Sequence, residues 1–177
     1  AFGDFLNKRF RSGEKETLYI NKVKITDTEL ALIAFQNETK HLLNHIIIFC
    51  LEMFNSKSSL QSSIHHERDF QKKTLLEKYD YIKSLHGQIH AYYVQLQSHI
   101  TIKEDTEQLD LLISSVRNGM YAAKSMKDAH HDIVQFRNSS NDRKYQFYLD
   151  MEEKIRLFFH RVELLMQQED RSAVRQQ

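Results

Sequence analysis

The sequence predicts an all-α protein: an up-down-up-down bundle of four long helices preceded by an extended N-terminal arm. Three observations lead there. The 177 residues contain no proline and only four glycines, too few turn-formers for a β-sandwich or barrel. Leu, Ile, Gln, Lys, Glu and Phe recur at helical spacing almost throughout. The breaks between these periodic stretches are short and polar, which suits antiparallel neighbours in a bundle. A chain of this length can bury the core of one domain. Residues 1–25 read as the arm, 26–170 as the bundle and 171–177 as a frayed tail.

The arm carries six Lys or Arg against three Asp or Glu in its 25 residues. Such a cluster suits an ordinary solvated arm, and it also suits a segment lying beside anionic lipid headgroups. Phe2–Arg11 (FGDFLNKRFR) reads as the continuation of something longer. Thr17–Ile25 (TLYINKVKI) partly alternates apolar and polar residues but has no obvious strand partner, so it is expected to lie extended along the bundle.

The first helix is expected from Thr26, where Thr26 and Glu29 have capping-box spacing and Asp27 lies in the first turn. Its apolar positions run from Leu30 and Ile33 through Leu42, Ile46, Phe49 and Met53. The serine-rich stretch Ser56–Ser63 is the expected loop. A second helix over His66–Ser98 carries a stripe of Leu75, Tyr79, Ile82, Ile89, Tyr93 and Leu96. Gly87 interrupts it and is read as a place of close helix approach. A third helix starts near Thr101, with Thr101 and Glu104 as a second capping box, and runs through Leu109, Leu112, Val116, Met120 and Ala123 to about Phe136. The turn Arg137–Asp142 (RNSSND) is a break. The fourth helix then runs to about Gln168 with Tyr145, Tyr148, Ile155, Phe159, Val162 and Met166 on one face.

Composition narrows the function classes. A net charge of +1 gives no bulk drive toward nucleic acid. Tyr92/Tyr93 and Phe158/Phe159 read as packing residues rather than base-stacking platforms, since no basic stripe interleaves with them. Cys50, the lone cysteine, lies in the apolar run IIIFCLEMF and reads as a buried, inert thiol, which suits a reducing compartment. No apolar run of about 18 residues is present to span a membrane, and no signal-peptide pattern is visible. There is no Gly-rich phosphate loop, no zinc-finger spacing and no nucleophile with an evident base. No catalytic residue and no cofactor are expected.

Two constellations carry candidate chemistry. His41/His45 and His86/His90 are each four residues apart, as are Asp128 and Asp132, so each pair shares a helical face. These six residues are the candidate set if the chain were a metal-binding helical-bundle enzyme or metal sensor. Against that reading, no paired Glu-x-x-His motif on two helices and no hemerythrin-like ligand order is present. Second, Glu38 lies on the stripe Ala31, Phe35, Leu42, and Glu152 lies between Tyr148 and Ile155. A charge on an apolar stripe needs a partner. Counting levels in an antiparallel bundle puts Glu38 near His86 and Arg117, and Glu152 near Lys127. Ion pairs Glu38–Arg117 and Glu152–Lys127 that fix helix register are the expectation, with a polar anion or metal site as the alternative.

One stretch carries a family resemblance. Ser115–Ile133 (SVRNGMYAAKSMKDAHHDI) places Val116, Met120, Ala123 and Met126 on one helical side and Arg117, Lys124, Asp128, His131 and Asp132 on the other. Its run Ala123–Ile133 resembles the third-helix motif L-E-R-I-G-D-H-A-x-N-I of the PhoU-like family. Thr26–Leu43 and Glu77–Gln97 look like further segments of the PhoU-like domain attached to bacterial sodium/phosphate cotransporter-related proteins. With Ser114–Ile133 these cover about a third of the chain. The chain looks like one three-helix PhoU repeat plus a further helix.

The resemblance implies a non-enzymatic regulatory or interaction domain on the cytoplasmic side of the inner membrane, part of a phosphate transporter-like protein. Its partner would be the membrane domain of the same parent chain, a cytosolic regulator, or a second copy of itself. The family's metal ligands carry over in part. Asp128 matches the motif's aspartate and Asp80 matches a second-helix acid loosely, but Lys124 stands in place of the glutamate. A lysine beside a multinuclear site repels cations, so no metal cluster is expected, and Lys124 is expected to pair with Asp128 one turn along.

Overall fold

The computed structural model describes residues 16–55 and 65–175, with side chains described at all of these except 65–68 and 167–175. Every regular element among the described residues is helical. In chain order they are a single 3-10 turn at Ile20–Lys22, then α1 Thr28–Met53, α2 His65–Lys72, α3 Leu75–Gln97, α4 Lys103–Arg137 and α5 Asp142–Arg175. The loop read at Ser56–Ser63 and the arm before Glu16 lie outside the described residues.

Local chemistry sets the boundaries, and it corrects several of those read from sequence. α1 begins at Thr28 because Asp27, not Thr26, is the cap: its carboxylate accepts from the Leu30 amide at 3.4 Å. It ends where Asn55 takes a left-handed conformation, φ 55°, which asparagine tolerates better than most residues. The helix expected over His66–Ser98 is two helices, α2 and α3. Thr74 is extended and forms a full capping box with Glu77, which starts a new helix there. At α4 the Thr101–Glu104 box does not form; Ile102 is the N-cap and supplies no side-chain bond. Asn141 caps α5 by accepting from the Lys144 amide at 3.2 Å, and α5 continues to Arg175, past the helix end read near Gln168. The stretch Thr17–Ile25 is not extended throughout, since the 3-10 turn lies inside it.

α1 is the central helix and packs against α3, α4, α5 and the 3-10 turn. It is buried on every side in its second half, where Ile46 to Leu51 are all inside. A helix apolar all round belongs in a core. At its start the stripe read from sequence is wrong: Leu30 and Ile33 are about half exposed, and Ala31, Leu32, Ala34 and Phe35 are buried instead. Phe35 meets Tyr92 and Tyr93 of α3 at ring separations of 6.3 and 6.4 Å, while Phe49 meets Tyr79 at 6.1 Å. Phe54 stacks on Tyr148 of α5 at 6.1 Å. Burying each such side chain contributes about 1.5–3 kcal/mol. Cys50 is wholly buried among these groups, and burial pushes its thiol up to about 12.

The close approach of helices occurs at Gly119, not Gly87. A Cβ on Gly119 would lie 2.9 Å from Leu43 Cδ2 and 3.0 Å from Ile46 Cδ1, so α4 packs on α1 through a position that has no room for a side chain. Gly87 faces open space.

Candidate functional site

The segment Glu16–Lys22 lies in the seam between α1 and α3 and is held there by side chains that grip its backbone. Glu38 is wholly buried on α1. Its Oε2 accepts from the amides of Tyr19 at 2.8 Å, Leu18 at 3.0 Å and Ile20 at 3.2 Å, and its Oε1 accepts from Leu18 at 3.1 Å. These amides open the 3-10 turn, where Tyr19 supplies no side-chain cap. The first amides of a helical turn have no partner within it, and the Glu38 carboxylate satisfies them from another element. Bonds to an ionised acceptor are the stronger class. Burial raises the Glu38 carboxyl above its ordinary value and outweighs the opposite pull of the Tyr19, Leu18 and Ile20 amides and of the Lys22 charge.

One turn on, His41 Nε2 lies 3.3 Å from the Glu16 carbonyl and 3.3 Å from the Tyr81 hydroxyl. Tyr81, on α3, also reaches the Glu16 carbonyl at 3.4 Å. Its phenol is pushed well up by burial, and further by the charges of Glu16 and Glu38. His45 Nδ1 donates to the His41 carbonyl at 2.8 Å, which fixes that nitrogen as protonated. The His45 ring stands edge-on to His41 at 4.4 Å and to Phe70 at 4.3 Å. Gln88 Nε2 donates to the Glu16 carboxylate, and Asn21 Nδ2 donates to the Thr17 carbonyl at 3.0 Å. Two helices therefore bracket one strap, α1 through Glu38 and His41, and α3 through Tyr81 and Gln88. Glu38, His41 and Tyr81 reach the backbone of the strap, and Gln88 reaches the Glu16 side chain.

The ion pairs read from level counting are replaced by other contacts. Glu38 binds the strap amides, and Arg117 lies exposed on α4, where its charge is felt by Tyr93. Lys127 pairs with Asp128 at 3.0 Å on its own helix and lies over the Tyr79 ring at 5.0 Å, rather than reaching Glu152. Glu152 is half-buried, and its charge is felt by Tyr148, whose hydroxyl donates to the Phe54 carbonyl at 3.4 Å. Helix levels do not predict the partners of Glu38 because these lie in the strap, outside the bundle helices.

The six candidate ligands are not gathered. Among the described residues no three His, Cys, Asp or Glu side chains come together to hold a metal ion. His41 and His45 are in the buried bracket. His86 and His90 lie further along α3 with ring centroids 6.3 Å apart, His86 half-buried and lowered by burial and then by the His90 charge. Asp128 and Asp132 are exposed on α4, as is Asp80 on α3. Lys124 Nζ donates to Asp128 at 2.9 Å. That bond raises Lys124, while bonds from Lys124 and then Lys127 hold Asp128 below the usual carboxylate range.

Two buried charges went unread. Lys78 is buried and pairs with Glu52 of α1, with its ammonium 5.8 Å from the Phe70 ring. Glu163 is buried on α5, 3.8 Å from His160 Nδ1. Both sit on apolar stripes, Lys78 between Leu75 and Ile82 and Glu163 between Phe159 and Met166, the same signal that singled out Glu38. No protein-family model, curated protein or solved structure matches the chain.

Proposed function

We propose that the chain is a non-enzymatic regulatory domain of the PhoU-like type, belonging to a sodium/phosphate cotransporter-like membrane protein and working on the cytoplasmic side of the inner membrane. The observation that carries this reading is the bracketed strap. A segment clamped by side chains of two helices delivers any displacement of the chain on its N-terminal side directly to α1 and α3. That is the mechanical link a regulatory domain needs to a neighbouring domain of its own parent chain. The up-down-up-down arrangement belongs to the same proposal. It is supported by contacts of the start of α1 with the end of α3 (Phe35 with Tyr93), of the end of α1 with the start of α3 (Glu52 with Lys78), and of the end of α1 with the start of α5 (Phe54 with Tyr148). The Lys124–Asp128 pair supports a regulator without a metal cluster, because a cation would meet an ammonium at that place.

The test is the reading frame upstream of Ala1 in the encoding gene. Several apolar runs of about 20 residues are expected there. A short polar start in their place would overturn the transporter reading.

A further inference from the structure

We propose that the outer face of α5 is a self-association surface on which α5 of a second copy of this chain lies antiparallel. α5 turns Tyr148 and Phe159 into the core. Its outer side exposes Leu157, Phe158, Leu164 and Leu165, and on the flank Phe147, whose ring also meets Phe136 of α4 at 5.5 Å; Phe147, Phe158 and Leu165 are each more than half accessible. Leu157, Phe158, Leu164 and Leu165 recur at helical spacing over about 12 Å of helix, and Phe147 lies about 15 Å before them, at about 1.5 Å per residue. Scattered surface leucines need no explanation, but four large apolar side chains clustered on one exposed helix face do.

The charges along this face point to the occupant. Asp150, Lys154 and Arg161 are exposed on the same side of the helix. In a twofold contact each residue meets its counterpart reciprocally. The antiparallel register that sets Asp150 opposite Arg161 of the second copy also sets Phe147 opposite Leu164 and Leu165, and Lys154 opposite Leu157 and Phe158. Each contact then occurs twice. Apolar ends meet apolar ends, the acid meets the base, and the lysine stem and ammonium lie over a ring and a leucine. Lys154 and Arg161 would suit anionic headgroups as well as a protein partner, but Asp150, which Gln146 of the same helix also contacts at 3.0 Å, finds a cation opposite it only in a second copy.

The experiment is sedimentation equilibrium of the whole chain from micromolar to submillimolar concentration, on wild type, Asp150→Arg, Arg161→Asp and the double variant, with circular dichroism confirming helicity. Wild type is expected to dimerise. Each single reversal places two like-charge pairs across the axis and should weaken the dimer about tenfold or more. The double variant restores opposite charges and should return to within about threefold of wild type. Phe158→Gln should weaken the dimer as well. A wild type that stays monomeric overturns the proposal, as do single reversals that dimerise normally or a double variant that shows no recovery. A monomer that cosediments with phosphatidylserine vesicles would assign the face to a membrane and also overturn it.

Discussion

Replacing Glu38 by glutamine isolates what the carboxylate does for the strap. The side chain keeps its size and one acceptor oxygen. It loses its charge, and it turns an NH2 group toward amides that can only donate. In the native bracket four bonds from Leu18, Tyr19 and Ile20 end on this carboxylate. Hydrogen bonds to a charged group contribute about 1.5–3 kcal/mol and neutral ones about 0.5–1.5. Removing the charge also removes the cost of keeping it buried, which the raised carboxyl value records. The loss therefore comes from the amides that the NH2 group leaves without an acceptor, about 1–3 kcal/mol, less what is regained by no longer burying a charge; a net loss of about 1–2 kcal/mol is a factor of about 5–30 in the opening equilibrium of the strap. Ile20 is the main apolar anchor of the strap, so opening it leaves most of the core closed. The assay is amide hydrogen exchange resolved to residues 18–20, alongside a thermal melt. Exchange there should quicken by the stated factor while amides of Ile82 to Leu96 keep their protection. Exchange at 18–20 as slow as in wild type would refute the clamp. Uniform loss of protection through α1 and α3 would refute its independence from the bundle. The pH dependence has a definite sign. A carboxyl raised in the folded state binds its proton more tightly there than in the unfolded chain. Its stabilising contribution is full below the ordinary value of 4.5 and is lost as pH rises through the raised folded value. Glu38→Gln should flatten the stability profile in that window.

Other expected outcomes follow from single positions. Gly87→Ala should stabilise by about 0.5–1 kcal/mol, since the site is helical, exposed and open, and raise Tm by about 2–4 °C per kcal/mol for a chain of this size. Gly119→Leu should do the reverse and cost about 1–3 kcal/mol or more by forcing α4 away from Leu43 and Ile46; a melt at or above the wild-type Tm would show that the close approach there is incidental. Lys124→Glu recreates the acidic spacing of the PhoU-like motif beside Asp128, yet Lys127 remains 3.0 Å from that carboxylate. Manganese should therefore leave the Tm of both wild type and variant unchanged, and a metal-dependent rise in wild type would overturn the reading of this face as metal-free.

Helix content was legible because the apolar period runs through the whole chain, but boundaries depended on which of several equivalent signals the backbone used. Thr26–Glu29, Thr74–Glu77 and Thr101–Glu104 share one spacing, and only the middle one closes as a box. Thr74 is the one whose backbone is extended with a helix following at once, φ −65° and ψ 162°. The other two threonines lie one residue outside the caps that formed, Asp27 and Ile102. The glycines behave alike: sequence marks a glycine in a helix, and only the neighbouring helix decides whether its missing side chain is needed. Leu43 and Ile46 decide it at Gly119.

Burial of a charge on an apolar stripe was legible, and the identity of its partner was not. Lys78 and Glu38 show why. The partner of Lys78 is a side chain, Glu52, whose residue type and place on α1 are both visible in the sequence. The partners of Glu38 are backbone amides 18 to 20 residues away, and an amide has no residue type by which to recognise it. The distinction bears on why each residue is charged. A leucine at position 38 would pack in the core as Leu42 does, and buried charges are often replaceable by apolar groups without loss of stability. No apolar side chain can accept from three successive amides. The carboxylate at position 38 is therefore accounted for by the strap it holds rather than by the bundle it sits in. A change that left the helices intact but released Leu18 to Ile20 would remove the function of that charge while sparing the fold.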